Sequence, residues 1–460
     1  MSKKVALINP GKDKKYAIQE PLNLGFIASY LEREGIDVAI IDELAGQDVK
    51  KELEKWQPDI AGITAVTPLA PDAYRIAKLC RDKKILTVMG GVHSNIMVEE
   101  AMEHVDIVVK GEGEIALRDI IKDGIRSGIV SRPFIKNIDD IPPPARHLMQ
   151  MDFYLRTKQR NPDTYLYFVP RNAKATAMLT SRGCPYDCVF CHNSWKGTPY
   201  RFNSPDRVIS EIKSLEKDYD VHHIFFIEDN FFANRTRVKK ICEKIIQERI
   251  EIIWGANARV DGITREILQI AKNAGCRQIT FGFESGSQRI LDALHKRTTV
   301  DQNKKAIQLC NEAGIIPQGT VMVGNPTETI EDVRATQQML RESNIQSVGV
   351  CITTPFPGTM LWDWCKERGL IPSNYKWSDF DYDRIAIPAC DTIPPDIVKQ
   401  LQIETINILT DKIPLTFREI VSRGLLQPGN LLILIKDPSK FGKLLKRLGI
   451  RTEKNPKKTS

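Results

Sequence analysis

The chain has 460 residues and a formal net charge of +8, and 42% of its residues are hydrophobic. This length predicts about two or three domains, and the composition excludes a fibrous or largely disordered protein. No apolar run approaches the roughly 20 residues of a membrane-spanning helix, and the start MSKKVALINPGKDKK lacks the long apolar region of a signal peptide. We therefore expect a cytoplasmic protein.

The first part of the chain alternates short apolar runs with amphipathic stretches. The predicted strands are 5–8, 38–41, 60–63, 85–89 and 107–109, and the predicted helices are 22–34, 47–56, 72–82, 95–103 and 114–125. Five such units predict a doubly wound, Rossmann-like parallel sheet with helices on both faces. Ligands bind such sheets at the carboxyl ends of the strands. Because no GxGxxG motif is present, a dinucleotide site is not indicated.

A second α/β series follows a linker. The linker is predicted at 138–170, and its first part, IDDIPPPARH, contains three consecutive prolines. The predicted strands beyond it are 177–181, 223–227, 252–255, 278–283, 319–323 and 347–352, with helices at 205–218, 235–249, 263–274, 300–313, 329–342 and 359–368. Six units predict a partial (β/α)6 TIM barrel. The expected domains are 1–137, the barrel at 171–370 and a small helical region at 371–460, with a helix at 395–423.

Three cysteines are clustered directly after the first strand of the second series. Cys184, Cys188 and Cys191 have the spacing C-x3-C-x2-C. Three thiolates in one loop can hold three irons of a [4Fe–4S] cluster and leave the fourth iron free for another ligand. The alternative is a zinc site, for which the neighbouring His192 is the candidate fourth ligand.

With this motif the sequence resembles the radical S-adenosylmethionine (SAM) superfamily, which carries C-x3-C-x-aromatic-C after the first strand of a partial barrel. Phe190 fills the aromatic position. Further segments at strand ends resemble family motifs in the family's order: 226–230, 254–259, 282–287, 324–329 and 354–359. The resemblance implies that the three cysteines bind the cluster. It implies a SAM site made of Phe190, Glu228, Asp229, Asn257, Arg259, Glu284 and Ser285.

The first domain resembles the cobalamin-binding domain of one large radical SAM subclass, through segments 21–31, 90–93, 110–114 and 138–146. This resemblance implies a cobalamin site at Thr64, Gly90, Gly91, Gly111 and Glu112. The D-x-H-x-x-G motif is absent, and the loop after the first strand contains no His, so cobalamin bound without a histidine on cobalt is expected. For the Gly90-Gly91 pair the alternative is a tight turn without a ligand.

The subclass includes class B methylases and the anaerobic magnesium-protoporphyrin monomethyl ester cyclase. The resemblance implies cleavage of SAM to a 5′-deoxyadenosyl radical, which abstracts hydrogen from an unactivated carbon for cobalamin-dependent methylation. The alternatives are a radical cyclisation without methyl transfer and a non-catalytic iron–sulfur or corrin sensor. No catalytic acid or base is predicted. The remaining pocket candidates, each with a structural alternative, are Tyr200, His222, His223 and Cys351.

The expected partners are a small-molecule or lipid-like substrate and a flavodoxin- or ferredoxin-type electron donor. Nucleic acid is not expected, because the basic residues are not spread over a domain face. They are concentrated in residues 431–460, which contain nine Lys or Arg against two acidic residues. This tail predicts peripheral contact with an anionic membrane, and the alternative is a helix packed on the barrel with a solvated basic face.

Overall fold

Two parallel sheets organise the chain. The computed structural model describes residues 3–11, 19–160, 169–170, 173–192, 197–345, 347–380, 387 and 389–410. All strand pairs of the two six-stranded sheets are parallel, and an additional antiparallel pair of two-residue strands lies between the first two strands of the second sheet in the chain. The predicted α/β class, a parallel sheet followed by a partial barrel, is confirmed.

The first sheet has the strand order β2-β1-β3-β4-β5-β6. Its strands are β1 Lys4–Asn9, β2 Asp37–Asp42, β3 Ile60–Thr64, β4 Leu86–Gly90, β5 Ile107–Lys110 and β6 Gly128–Ser131. Strand β1 is buried from Val5 to Ile8 because helices cover both faces of the sheet. Strand β6 was not among the predicted strands. Its apolar run is too short to show a period, and its pairing with β5 makes it an edge strand.

The helices between these strands match the predicted positions closely. They are α1 Leu22–Arg33, α2 Val49–Trp56, α3 Ala70–Asp82, α4 Val92–Ile96, α5 Val98–His104 and α6 Gly113–Lys122. The predicted helix at 95–103 is two helices, because the backbone at Met97 leaves the helical region between α4 and α5.

The predicted linker contains regular structure. Helix α7 Met151–Arg160 follows two 3₁₀ turns, Ile138–Asp140 and Arg146–Leu148. The helix is held by tertiary contacts, since Tyr154 is fully buried and its hydroxyl donates to Asp42 at the end of β2. The segment was assigned to the linker because the three prolines before it show no apolar period, and α7 begins only after them.

The second sheet runs β7-β10-β11-β12-β13-β14, so that neighbours in the chain are neighbours in the sheet, as in a barrel. Its strands are β7 Ala175–Met178, β10 His223–Phe226, β11 Ile253–Ala258, β12 Cys276–Glu284, β13 Ile316–Val323 and β14 Ser347–Ile352. The short pair between β7 and β10 consists of β8 Ser181–Arg182 and β9 Arg201–Phe202. Strands β7 and β14 are the two edges of this partial barrel.

The barrel helices begin at polar caps. They are α8 Pro205–Tyr219, α9 Arg235–Gln247, α10 Arg265–Asn273, α11 Gln288–Ala293, α12 Val300–Glu312, α13 Ile330–Glu342, α14 Met360–Glu367 and α15 Pro395–Thr410. The hydroxyls of Thr299 and Thr329 each accept a backbone N–H in a capping box, which fixes where α12 and α13 start. The short helix α11 was not predicted.

Within the described residues, no helix has both the length and the apolar character to cross a membrane. The predicted basic tail at 431–460, and the part of the predicted helix 395–423 beyond residue 410, lie outside the described residues. The membrane contact of the tail therefore stays a prediction.

Candidate active site

The three clustered cysteines lie in a loop between β8 and β9. Gly183 enters this loop at φ +76, and a Cβ there would come within 2.6 Å of the Pro199 carbonyl oxygen, so only glycine allows the two ends to approach this closely. The loop is also tied to the barrel, because the Val189 amide donates to the Leu294 carbonyl and the Leu361 amide donates to Val189.

The cysteine loop borders a cavity of about 610 Å³ at the carboxyl ends of the barrel strands, here called the barrel cavity. All three cysteines line it, together with five of the seven predicted SAM residues: Phe190, Asp229, Asn257, Arg259 and Glu284. The barrel therefore brings together groups from four separate strand ends. The loop after β1 also contributes, since Gln19 is a lining residue.

Buried positive charge surrounds the thiols. Arg259 Nη1 lies 3.7 Å from Cys188 Sγ, and the same guanidinium stacks on Tyr186 at 3.6 Å. Its Nη2 donates to the Lys296 carbonyl at 2.6 Å, which fixes the direction of the side chain. Burial raises the pKa of the Cys188 thiol, while Lys296 and Arg259 lower it. The site thus favours thiolates when a metal binds them.

Lys296 is a functional candidate that the sequence did not reveal. Its Nζ donates to Glu284 Oε1 at 2.6 Å, and both side chains are buried. Burial opposes the charge on Lys296, but the attraction of Glu284 raises its pKa. A Cβ on Gly282 would lie 2.3 Å from Glu284 Oε1, so this glycine makes room for the pair. A lysine just after a short helix carries no pattern that marks it as buried.

Two predicted SAM residues do not line the barrel cavity. Glu228 is buried behind it, where its Oε1 accepts a hydrogen bond from the Thr180 hydroxyl at 2.5 Å, and burial raises its pKa. Ser285 is fully buried and its hydroxyl pairs with that of Thr336 at 3.1 Å. Their roles in SAM binding stay predictions, and the contacts place both in the supporting structure of the strand ends.

The other pocket candidates are scattered. His222 and His223 border a groove at the amino ends of the barrel strands, away from the cysteines. The Tyr200 hydroxyl is buried and has no hydrogen-bond partner among the described residues. Cys351 lies half-buried on β14.

A second cavity, of about 240 Å³, lies at the carboxyl edge of the first sheet, against β1, β3, β4 and β5 and under helices α1 and α6, next to the point where the strand order reverses. It is here called the switch-point cavity, and such reversals are the usual ligand sites of open parallel sheets. All five predicted cobalamin residues line it: Thr64, Gly90, Gly91, Gly111 and Glu112. Its walls are otherwise mainly apolar, and Leu7 and Gly62 form part of its floor.

Glycines allow the walls of this cavity to approach one another closely. A Cβ on Gly62 would come within 2.8 Å of Leu7 Cδ2, and one on Gly113 within 2.6 Å of Ile27 Cδ1. Gly91 adopts φ +97 with the Ala65 carbonyl oxygen 2.7 Å from the position of a Cβ. The apolar space between the sheet and helices α1 and α6 could hold a flat apolar part of a cofactor.

His93, which follows the two glycines in the chain, does not line the switch-point cavity. It is fully buried, with the Tyr74 hydroxyl 3.0 Å from Nε2 and the Thr67 hydroxyl 3.4 Å from Nδ1. The Trp377 ring packs edge-on against it at 4.8 Å between centroids. The prediction that no histidine binds cobalt is consistent with this placement and stays a prediction.

Comparisons with known proteins match two separate parts of the chain, one with each cavity. The model of the B12 binding domain matches residues 13–121, and that of the Radical SAM superfamily matches residues 178–340. An uncharacterized methyltransferase of Pyrococcus horikoshii is 35% identical over 379 residues, which cover 76% of this chain and 79% of that protein. The chain belongs to the radical SAM superfamily.

Two further known proteins are similar to this radical SAM enzyme. The anaerobic magnesium-protoporphyrin IX monomethyl ester cyclase of Rubrivivax gelatinosus is 28% identical over 372 residues, covering 73% of this chain and 64% of that protein. The chain thus spans slightly less than two thirds of the cyclase. The solved structure of the cobalamin-dependent radical enzyme OxsB, with aqua-cobalamin and SAM bound, has a TM-score of 0.72 at 18% identity. It covers 98% of this chain and 76% of that chain, a likeness of fold.

Family membership implies a [4Fe–4S] cluster and SAM, and the B12 binding domain implies cobalamin. The residues present fit these groups. Three thiols line the barrel cavity beside Arg259 and Lys296. The positive charges of these two side chains would attract the negative charge of a cluster bound by thiolates. Among the described residues, no three His, Cys, Asp or Glu side chains surround a single ion position. Each thiolate of a cluster binds its own iron, and a cluster is the group that the family implies for these three cysteines.

Proposed function

We propose that this radical SAM enzyme transfers a methyl group to an unactivated carbon of its substrate, with cobalamin as the methyl carrier. The observation that carries the proposal is that each domain lines the other domain's cavity. Leu179 and Arg182 of the barrel line the switch-point cavity, and Gln19 of the first domain lines the barrel cavity. Cofactors in the two cavities would face one another across a shared boundary, as methyl transfer between them requires.

The relatives support the same proposal. The Pyrococcus horikoshii relative is described as a methyltransferase, and it covers most of both domains. The alternative is cyclisation without methyl transfer, which the Rubrivivax gelatinosus cyclase favours at lower identity. A non-catalytic sensor would need neither the barrel nor the charged groups around the cysteines.

When bound, the cluster and SAM supply one-electron cleavage to a 5′-deoxyadenosyl radical, and cobalamin supplies a methyl group. The residues of the chain bind and orient these groups and exclude water from them. Arg259 and Lys296 provide positive charge for the SAM carboxylate, and Asp229 and Glu284 provide negative charge for its amino group. Phe190, beside the thiols, offers its ring to the adenine.

The remaining lining of the barrel cavity supports an apolar substrate near the reacting carbon. Beyond the groups assigned to the cluster and SAM, the strands contribute uncharged side chains: Phe225, Ile227, Thr280, Phe281 and Thr320. Such a wall binds hydrocarbon without the desolvation cost of a charge. A lipid-like or other largely apolar small molecule is therefore the proposed substrate, and a flavodoxin- or ferredoxin-type protein the proposed electron donor.

The half-reaction with SAM tests the function without the substrate. Protein reconstituted with the cluster, with or without cobalamin, is reduced under argon and given SAM with a labelled methyl group. Methyl transfer predicts S-adenosylhomocysteine in the cobalamin-loaded sample and little in the cobalamin-free one. The Cys184→Ala variant should lose 5′-deoxyadenosine, because it loses a ligand of the cluster that cleaves SAM. Formation of 5′-deoxyadenosine alone in the loaded wild type would favour the cyclase alternative, and neither product would contradict the proposed function.

Membrane contact of the basic tail is a separate part of the proposal. Sedimentation with anionic liposomes at physiological salt would compare the full chain with one that ends at Gln427. Binding by the full chain alone supports delivery of a lipid-like substrate at a membrane, since each basic residue near such a surface contributes about 1 kcal/mol. Equal binding by both chains would contradict it.

A further inference from the structure

The cysteine loop is closed at its base by an antiparallel ladder of only two residue pairs. Arg182 of β8 pairs with Arg201 of β9, and Ser181 pairs with Phe202, in antiparallel register. Every residue of the loop, including the three cysteines, lies between these two strands. The orientation of the two strands therefore determines where the loop presents its thiols.

Both arginines of this ladder are held by carboxylates of the first domain. Glu112 accepts two hydrogen bonds from Arg201, at 2.7 and 3.0 Å, and its Oε1 lies 3.0 Å from Arg182 Nη1. Glu114 accepts from Arg182 Nη2 at 2.5 Å. The exposed fractions of the side chains are 16% for Arg182, 8% for Arg201, 18% for Glu112 and 3% for Glu114, so solvent screens these ion pairs little.

The Arg201 side chain makes further contacts with the first half of the chain. Its Nη1 donates to the Ile135 carbonyl at 2.7 Å, and its guanidinium lies 5.0 Å from the Phe134 ring. Burial opposes ionisation of Glu112, but the hydrogen bonds and charges of Arg201 and Arg182 lower its pKa. A row of ion pairs between the domains is thus formed by Glu112, Glu114, Arg182 and Arg201. It is here called the carboxylate–arginine seam.

The same seam borders the switch-point cavity. Glu112, Glu114 and Arg182 are lining residues of that cavity, and so is Phe26, whose ring lies 5.3 Å from the Arg182 guanidinium. A molecule that fills the cavity therefore touches both sides of the domain boundary at the point where the ladder is held. Its contacts depend on how the first domain and the ladder are placed, and such a dependence is the condition for coupling.

We propose that Glu112 is a positioning residue that couples the two cofactor sites, so that cobalamin in the switch-point cavity strengthens SAM binding at the cluster. The inference rests on the proposed function, which places both cofactors in these cavities. Cobalamin restrains the segment that carries Glu112, the seam restrains the ladder, and an ordered cysteine loop loses less entropy when SAM binds. By linkage, SAM strengthens cobalamin binding by the same factor.

The proposal also changes the interpretation of Glu112, which the sequence assigned to cobalamin itself. Both of its carboxylate oxygens are engaged by arginines, so the side chain acts on the cysteine loop through Arg182 and Arg201.

The test measures SAM affinity of the cluster-containing protein by calorimetry, with and without hydroxocobalamin. In the wild type, cobalamin should tighten SAM binding by about fivefold or more. In Glu112→Gln, which keeps the shape and removes the charge, this ratio should fall towards one while the iron content stays unchanged. Glu112→Asp, which keeps the charge, should retain part of the ratio. The matched control is Glu54→Gln, which removes the carboxylate of the exposed Lys83–Glu54 pair in the same domain.

A second measurement separates coupling from simple loss of structure. Cobalamin affinity is read by absorbance with and without SAM. In the wild type, SAM should raise this affinity by the same factor by which cobalamin raises the affinity for SAM. In Glu112→Gln, SAM should leave the cobalamin affinity unchanged. If Glu112→Gln does not fold, Glu114→Gln and Arg182→Lys test the same seam. Binding of both ligands by the wild type with a ratio of one, or a ratio unchanged by loss of the seam, would overturn this inference alone. A wild type that binds neither ligand would overturn the proposed function as well.

Discussion

The barrel cavity and the switch-point cavity lie on either side of one domain boundary, and they are built in opposite ways. The barrel cavity is lined by thiols and by buried charges that are paired with one another, such as Lys296 with Glu284. The switch-point cavity is made by missing side chains, at positions such as Gly62 and Gly90, and its walls are mainly apolar. The lining of the barrel cavity therefore suits ligands held by charge and metal coordination, and that of the switch-point cavity suits a ligand held by shape.

The difference explains why the two sites respond differently to substitution. A paired charge that loses its partner is left buried and unsatisfied, which is costly. A glycine that gains a side chain fills space that a ligand needs, with little effect on the charges nearby. The following predictions test this contrast, beginning with the largest expected effect.

Replacing Cys184, Cys188 and Cys191 by Ala should abolish the cluster and SAM cleavage, because the barrel cavity then has no metal ligand from this loop. Cobalamin binding at the switch-point cavity should remain. Iron and sulfide analysis of the reconstituted protein, with absorbance of added cobalamin, measures both. About four irons per chain in the triple variant would show that the cluster is bound elsewhere.

Replacing Lys296 by Met should destabilise the cofactor-free protein by about 3–5 kcal/mol, since Glu284 is then left as a buried unpaired charge. Urea unfolding gives the change in free energy. The control is Lys83→Met in the exposed pair with Glu54, for which at most about 1 kcal/mol is expected. Similar effects of the two substitutions would mean that the barrel pair is not desolvated. The double variant with Glu284→Gln should recover part of the loss.

Replacing Gly90 by Leu should weaken cobalamin binding by roughly tenfold or more, about 1.4 kcal/mol. A Cβ at Gly90 meets no atom closer than 4.0 Å, so the new side chain enters the cavity and not the protein interior. At saturating SAM, formation of 5′-deoxyadenosine and the iron content should be unchanged. Absorbance titration with hydroxocobalamin measures the affinity. Unaltered affinity would remove the switch-point cavity as the cobalamin site.

A pH-dependent effect concerns Glu328, which extends the buried polar character of the barrel to the loop after β13. Burial raises its pKa to about 7, although Asn325 and the Gly324 amide donate to its carboxylate. Because the folded state holds this proton more tightly than the unfolded state, the stabilisation is present below the usual pKa of 4.5 and is lost as pH rises through 7.

The corresponding experiment compares urea unfolding of the wild type and Glu328→Gln at a series of pH values. Relative to the variant, the wild type should lose on the order of 1–3 kcal/mol between about pH 5 and pH 8. Parallel pH profiles for the two proteins would show that Glu328 does not titrate in this window.

Most of the fold and part of the site could be predicted from the sequence. The first five strands of the first sheet have mainly apolar runs, and the cysteine triad is recognisable by its spacing. Strand β6 and helix α7 could not be predicted. The first is too short for a period and depends on pairing with β5, and the second is stabilised by Tyr154 packing onto β2.

What the sequence alone determined was local: the βα rhythm, the order of the strand-end motifs and the three thiols of one loop. Only the tertiary structure decided how charges are paired. Glu112 and Arg201 are 89 residues apart in the chain and meet across a domain boundary. Lys296 and Glu284 are 12 residues apart, with helix α11 between them. The physical reason is that periodicity and spacing record which face of an element is apolar, whereas a buried ion pair depends on the relative placement of elements. That placement also made Glu112 part of the seam between two sites.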